Sequence, residues 1–339
     1  MEQPLVSIII PAYNRPRYLE EAMRSVLEQT YKNVELIISD NSCVQDSRAV
    51  AESFHDPRVR YLRVASNYGM TDNNLVGFRA ARGKYFANLH DDDTWDKSLL
   101  EKLVPPLEAD PDLVISFSDH YVMNMDGKIM PDITESNTRY FQRDKLQAGV
   151  HKPFSYMALV PVSVPMTMCT VIRRSAIDLD TDFPKMTSCY DFWLAYLACR
   201  DGDGAYYTPE RLMSYRWHAG NDTGSGRIRI AESLITCFSE FLKDDRVRDL
   251  HPEFQRLLAS SHANLARGLL RAGRPGEARP HLREANRPAF QMQYALLAML
   301  ISILPDAVLR VRFLREALPA GKAWIRGLKK WIFRTPRTA

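Results

Sequence analysis

The sequence predicts an α/β fold, a mostly parallel sheet flanked by helices, followed by a C-terminal helical region. Three observations carry this. Over the first 120 residues, short apolar runs alternate with helix-like segments, as in a parallel sheet whose strands are buried on both faces. Each apolar run ends in polar or turn-forming residues, at the strand ends where such sheets bind ligands. From Ile228 to Leu318 the periodicity is helical throughout. The chain has 339 residues, 45% of them hydrophobic, which is enough for a real core in one large or two smaller domains. We divide it into residues 1–226 and 227–339.

The elements follow in order. Leu5–Ile10 is apolar apart from Ser7 and stops at Pro11, as a buried strand would. It is too short for the apolar part of a secretion leader. Asn14 can cap a helix with Pro16 in its first turn, running to about Gln29. Val34–Ser39, Val59–Val64 and Tyr85–Leu89 read as three further buried strands. Ser47–Phe54, Thr71–Ala81 and Lys97–Glu108 read as the intervening helices. Later, Asp191 opens a helix, where aspartate is a favoured capping residue and Ser188 is an alternative cap. Ala259–Ala285 reads as two short antiparallel helices around Ala272-Gly273-Arg274-Pro275, a single hairpin and not an array.

Four polar clusters lie just past the strands: Pro11-Ala12-Tyr13-Asn14, Asp40-Asn41-Ser42, Ser66-Asn67-Tyr68-Gly69 and His90-Asp91-Asp92-Asp93. In this topology they converge on one crevice. Three adjacent carboxylates repel one another, and the natural partner is a divalent cation held by one or two of them together with substrate phosphates. The alternative is an acidic loop stabilising a helix start.

Charge is uneven. From Ile228 onward the chain carries 20 Lys and Arg against 10 Asp and Glu, whereas residues 1–227 carry 25 against 31. Ala289–Leu304 is apolar but interrupted by Gln291, Gln293 and Ser302, so it falls short of the roughly 20 apolar residues of a membrane span. Beyond Pro305, basic residues from Arg310 to Arg337 interleave with Phe313, Trp324, Trp331 and Phe333. Such a helix suits an anionic membrane surface, at about 1 kcal/mol per basic residue near it. The alternative is a helix docked on residues 1–226 with its charges solvated. No nucleic-acid-binding module is recognisable. Five cysteines without C-x-x-C spacing fit a reducing cytoplasm, with the tail at the inner face of the plasma membrane.

Seven motifs, in order, resemble glycosyltransferase family 2 and its GT-A nucleotide-sugar fold over residues 4–222. They are Ser7–Asn14, Asp40-Asn41-Ser42, Asn67-Tyr68-Gly69, Arg82-Gly83-Lys84-Tyr85, the aspartate triplet with Trp95, Asp191–Leu194, and Tyr215-Arg216-Trp217-His218. The resemblance implies an inverting transferase that takes a sugar from a nucleoside diphosphate, UDP or dTDP favoured, with Mn2+ or Mg2+. The acceptor would be a glycan or lipid-linked hydroxyl in bacterial surface-polysaccharide or glycolipid assembly. By the same resemblance, Pro11, Ala12, Tyr13 and Asn14 wall the base and ribose. Asp40 accepts from a uracil or thymine ring N–H, although Asp-Asn-Ser is also an ordinary turn. Asn67 and Gly69 let the backbone approach the base. Asp91 or Asp92 contacts ribose, and Asp93 holds the metal with Asp91 as its companion, in a register open by one residue. Asp191 is the base that deprotonates the acceptor. Arg216 and His218 stabilise the departing diphosphate, with Gly220–Gly226 as a closing loop.

The chain departs from the family pattern at three places. His90 stands where many relatives have aspartate, Tyr190 where they often have glutamate, and Met70-Thr71-Asp72 where an arginine would contact the base. There is no Gln-x-x-Arg-Trp segment and no array of membrane spans, which argues against a processive synthase. A nucleotidyltransferase would need a glycine-rich loop, and Pro11–Arg17 has no glycine. The remaining alternative is a non-catalytic nucleotide-sugar-binding or scaffold protein of a polysaccharide assembly complex.

Overall fold

The computed structural model describes residues 3–43, 46–64, 69–179, 183–184, 186–218 and 227–285. Asn67, the glycine-rich loop and the basic tail lie outside them. Two compact units emerge, one within Met1–Ser225 plus Glu240–Leu250, the other within Gly226–Ser239 plus His251–Ala339.

The first unit is built on a nine-stranded sheet. Strands β1 (Val6–Ala12), β2 (Val34–Asp40), β3 (Val59–Arg63) and β4 (Tyr85–Asn88) pair in parallel in the order β3-β2-β1-β4. Helices α1 (Pro16–Leu27), α2 (Asp46–Ser53) and α3 (Met70–Ala80) connect them. A short β5 (Thr94–Trp95) and α4 (Leu99–Ala109) lead to β6 (Leu113–Met123). After α5 (Pro131–Tyr140), β7 (Gly149–His151) and α6 (Ser155–Leu159) comes β8 (Thr170–Arg173), which runs antiparallel between β4 and β6. Helix α7 (Tyr190–Cys199) and strand β9 (Gly204–Arg216) complete the unit's core, with β9 parallel to β6 and paired with β5 and β7.

β1, β2 and β4 are buried along their whole lengths, which is why they read as largely apolar runs. β3 is only partly buried, contrary to the expectation of a third buried strand. It is the edge strand, paired on one side only, and so tolerates Arg60 and Arg63. Helix α1 starts on Pro16, whose fixed φ suits a first helical position. Its cap, however, is Arg15 and not Asn14. Asn14 is left-handed, φ 56°, and its side chain accepts from the Cys43 N–H at 3.0 Å, tying the loops after β1 and β2 together.

Two glycines mark close approaches. A Cβ on Gly77 would lie 2.4 Å from Ile9 Cγ2, where α3 presses on β1. A Cβ on Gly83 would lie 2.6 Å from the carbonyl oxygens of Leu5 and Tyr85, so glycine at this position is a structural necessity before β4. The Ser7 hydroxyl accepts from Gly83 N–H and donates to Glu35, which holds the same corner.

The second unit contains α8 (Arg227–Phe241, its last residues belonging to the first unit), α9 (His251–Arg271) and α10 (Pro275–Ala285). α9 and α10 form the expected hairpin. Gly273 takes φ 75° at the turn, and Leu265, Ala266, Leu269, Ala278 and Leu282 pack between the helices. No described helix is long and apolar enough to cross a membrane.

Candidate active site

The carboxyl ends of β1 and β4 bring Tyr13 against the aspartate triplet. Tyr13 N–H donates to Asp91 Oδ2 at 2.9 Å. Arg15, the next charged residue, places Nη1 3.2 Å from Asp91 Oδ1 and 2.6 Å from Asp92 Oδ2. From the end of β9, His218 Nε2 approaches Asp92 Oδ2 to 2.9 Å, and Arg216 N–H donates to Asp93 Oδ1 at 2.8 Å. Asp93 Oδ2 is buried and has no hydrogen-bond partner.

Burial and mutual repulsion load these acids. Burial pushes Asp91 up to about 7, with the Asp92 charge adding and Arg15 and the Tyr13 amide opposing. Burial raises Asp93 well above the ordinary range, and the charge on Asp92 adds to it. Part of the positive charge that the triplet calls for therefore comes from the chain itself. The sequence reading overlooked Arg15, although its place directly after the first strand end was a usable signal.

Arg216 is 2% exposed. It donates to Asp92 O, Met125 O and Glu21, and its guanidinium lies 4.5 Å from the centre of the Tyr18 ring. That guanidinium fastens the acidic loop to α1, so Arg15 and His218 are the basic groups hydrogen-bonded to the carboxylate oxygens. Asp40 is fully buried, and its carboxylate accepts from Ser42 N–H, Tyr61 O–H and Arg63. Pro11 and Ala12 are buried, whereas Tyr13 is 51% exposed at the mouth. Gly69 caps α3 in extended backbone, and no contact among the described residues demands glycine there.

Asp191 sits in the first turn of α7, behind a left-handed Cys189 that serves as the cap in place of Asp191 or Ser188. Burial raises its pKa, opposed by the Phe192 N–H. His90 joins the two acidic regions. Its Nε2 lies 3.1 Å from the Tyr190 hydroxyl, its Nδ1 lies 3.8 Å from Asp93 Oδ2, and the charges of Asp92 and Asp191 both act on it. Burial lowers its pKa, which favours the neutral ring. Among the described residues, one group of potential metal donors lies within mutual reach: His90, Asp92 and Asp93, all within 4.8 Å. Asp91, expected as a companion ligand, is outside it and is engaged by Tyr13 and Arg15. Oxygen-rich donors with one uncommitted buried carboxylate oxygen fit a hard or borderline divalent ion.

The sequence profile of glycosyl transferase family 2 matches residues 7–177. The chain belongs to that family. An uncharacterized glycosyltransferase of Haemophilus influenzae is 27% identical over 228 residues, 66% of this chain and 68% of that protein. TuaG of Bacillus subtilis, named for teichuronic acid biosynthesis, is 32% identical over 127 residues, 37% of this chain and 50% of its own. Two solved structures share the GT-A fold. Staphylococcus aureus TarS 1–349 with UDP-GlcNAc has a TM-score of 0.61 at 15% identity, covering 95% of this chain and 92% of that one. The mannosyltransferase PcManGT of Pyrobaculum calidifontis with GDP-Man and Mn2+ has a TM-score of 0.56 at 17% identity, covering 91% and 84%. In this family 2 glycosyltransferase the matched segment contains the whole aspartate triplet and ends before Asp191, Arg216 and His218.

Proposed function

We propose that this glycosyltransferase transfers a sugar, with inversion, from a nucleoside-diphosphate sugar to an acceptor hydroxyl in polysaccharide or glycolipid assembly, aided by Mn2+ or Mg2+. One observation carries the reading. His90 and Tyr190 link the acidic loop after β4 to the start of α7, which supports a reading in which the diphosphate side and the candidate base Asp191 serve one site. The likeness to TuaG supports the polysaccharide setting. The ligands of TarS and PcManGT support a nucleotide-sugar donor, with UDP favoured by the former and Mn2+ by the latter.

Asp92 and Asp93 would hold the ion, which when bound stabilises charge on the leaving diphosphate. Arg15 and His218, already at Asp92, flank that position and add electrostatic stabilisation. Asp191 accepts the proton of the acceptor hydroxyl as its oxygen bonds to the anomeric carbon. The carbon–oxygen bond to the diphosphate breaks at the same time, and its electron pair departs on the phosphate oxygen. Its raised proton affinity suits that task. Pro11, Ala12, Tyr13 and Asn14 would line the base and ribose side, with Asn67, Gly69 and Asp91 beside them. A base contact by the buried Asp40 carboxylate would require both Arg63 and the Tyr61 hydroxyl to turn away. The basic tail would hold the enzyme at the anionic inner face of the plasma membrane.

The test is nucleotide release from a panel of UDP-, dTDP- and GDP-sugars, with Mn2+ and with EDTA. Metal-dependent release with at least one donor is expected. Absence of metal-dependent nucleotide binding by calorimetry would favour the scaffold reading instead.

A further inference from the structure

We propose that His90 is a nitrogen ligand of the cation site and that Tyr190 fixes its tautomer, so that the site prefers ions accepting imidazole, such as Mn2+ and Co2+, over Mg2+. The inference rests on the metal-dependent reading above and deepens it by naming the donor set and the class of ion.

The first argument is distance. His90 Nδ1 and Asp93 Oδ2 are 3.8 Å apart, too far for a hydrogen bond. An ion holding its ligands at roughly 2.0–2.2 Å spans donors up to roughly 4 Å apart, so the two atoms can share one ion. An Asp92 oxygen completes the group within 4.8 Å.

The second argument is independent of the cluster. Asp93 is 0% exposed, its Oδ1 is taken by the Arg216 amide, and its Oδ2 has no donor. A buried carboxylate oxygen left unpaired is costly, and the His90 ring nitrogen facing it at 3.8 Å is too far to pair it. A shared cation pairs both atoms at once.

The third argument is the hold on the ring. Imidazoles that bind metals usually donate their other N–H to an oxygen, which fixes the tautomer and the ring plane. Here Nε2 faces the Tyr190 hydroxyl at 3.1 Å; with that hydroxyl as acceptor, Nδ1 is the bare nitrogen, 3.8 Å from Asp93 Oδ2. Tyr190 is 2% exposed, so this oxygen is rigidly placed. His90 and Tyr190 are also two of the positions at which the sequence departs from its family pattern, and they touch. Nitrogen in the donor set favours later first-row ions, whereas Mg2+ is best served by oxygen and water.

The experiment uses full-length, metal-free protein titrated with Mn2+ in the presence of UDP, read by electron paramagnetic resonance with Mg2+ as competitor. Pulsed spectra report imidazole nitrogen bound to Mn2+. In wild type, a nitrogen signal and a clear preference for Mn2+ are expected. His90→Gln should lose nitrogen intensity that His218→Gln retains, and should weaken Mn2+ binding about tenfold or more. Tyr190→Phe should weaken it by a similar factor, roughly that of losing an outer-shell partner. His90→Asp should keep ion binding while narrowing the preference for Mn2+ over Mg2+. Unchanged Mn2+ affinity and nitrogen signal in His90→Gln overturn the inference and leave the proposed function standing. If His90→Gln does not fold, unchanged Mn2+ binding in Tyr190→Phe overturns it instead. A wild-type protein that binds no Mn2+ with UDP overturns both.

Discussion

Replacing Asp91 with asparagine should stabilise the metal-free protein at neutral and alkaline pH. The Asp91 carboxyl is pushed from 3.8 to about 7, chiefly by burial and then by the charge on Asp92. That gap of about three pH units corresponds to about 4 kcal/mol. The folded protein holds this proton more tightly than the unfolded chain. The native state is therefore penalised progressively as pH rises from about 4 to about 7, fully above 7, and not at all below 4. An amide at position 91 keeps an acceptor for the Tyr13 N–H but loses the ion pair with Arg15. Allowing for that loss, the net gain at pH 8 is about 1–2 kcal/mol, or a melting temperature higher by about 3–6 °C. Differential scanning fluorimetry in EDTA at pH 4 and pH 8 measures it. The advantage should be present at pH 8 and vanish at pH 4. An Asp91→Asn protein that melts below wild type at pH 8, or gains equally at both pH values, would refute the claim that the triplet is under electrostatic load.

Four other outcomes follow from the same structure. Asp191→Asn should fold normally, as judged by circular dichroism, and lose about 10²–10⁴ in kcat; normal turnover in the nucleotide-release assay would remove Asp191 from its role. In wild type, the acid limb of kcat against pH should lie above the ordinary carboxylate range, because burial raises the Asp191 pKa. EDTA should cut turnover by about a hundredfold or more, and Mn2+ should restore it. Gly83→Ala should cost at least about 2 kcal/mol in urea unfolding, because its Cβ would meet two backbone carbonyls at 2.6 Å.

The parallel half of the sheet was legible because β1, β2 and β4 are buried on both faces and end in turn residues. β6 was not. It carries Ser116, Ser118, Asp119 and His120 inside the protein, so it lacks an apolar signature. Asp119 is tolerated there through Arg143 at 2.6 Å and the Thr138 hydroxyl, partners that only the tertiary structure reveals. Asn14 misled for a related reason. Its cap-like chemistry serves a tertiary bond to Cys43, and Pro16 starts the helix without it. The carboxylates were found from local sequence, but Arg15 and the Glu21 partner of Arg216 were not, since their roles depend on long-range contacts.

The two arginines at the triplet differ in what they can give to a substrate. Arg216 is enclosed, with its donors spent on two backbone carbonyls and Glu21, and releasing it would leave a buried cation unpaired. Arg15 is 33% exposed at its side chain and meets the triplet through Nη1, at Asp91 and Asp92. It can exchange a carboxylate for a phosphate oxygen at little cost, since both are charge-assisted partners of similar geometry. In the proposed function, Asp92 and Asp93 would hold the ion, and Arg15 would be the group to turn from Asp92 to the diphosphate. Arg216 keeps the loop in place throughout. On this argument Arg15→Met should raise KM for the donor and lower kcat while the metal-free protein still folds. Arg216→Met should lose stability first, and activity only as a consequence.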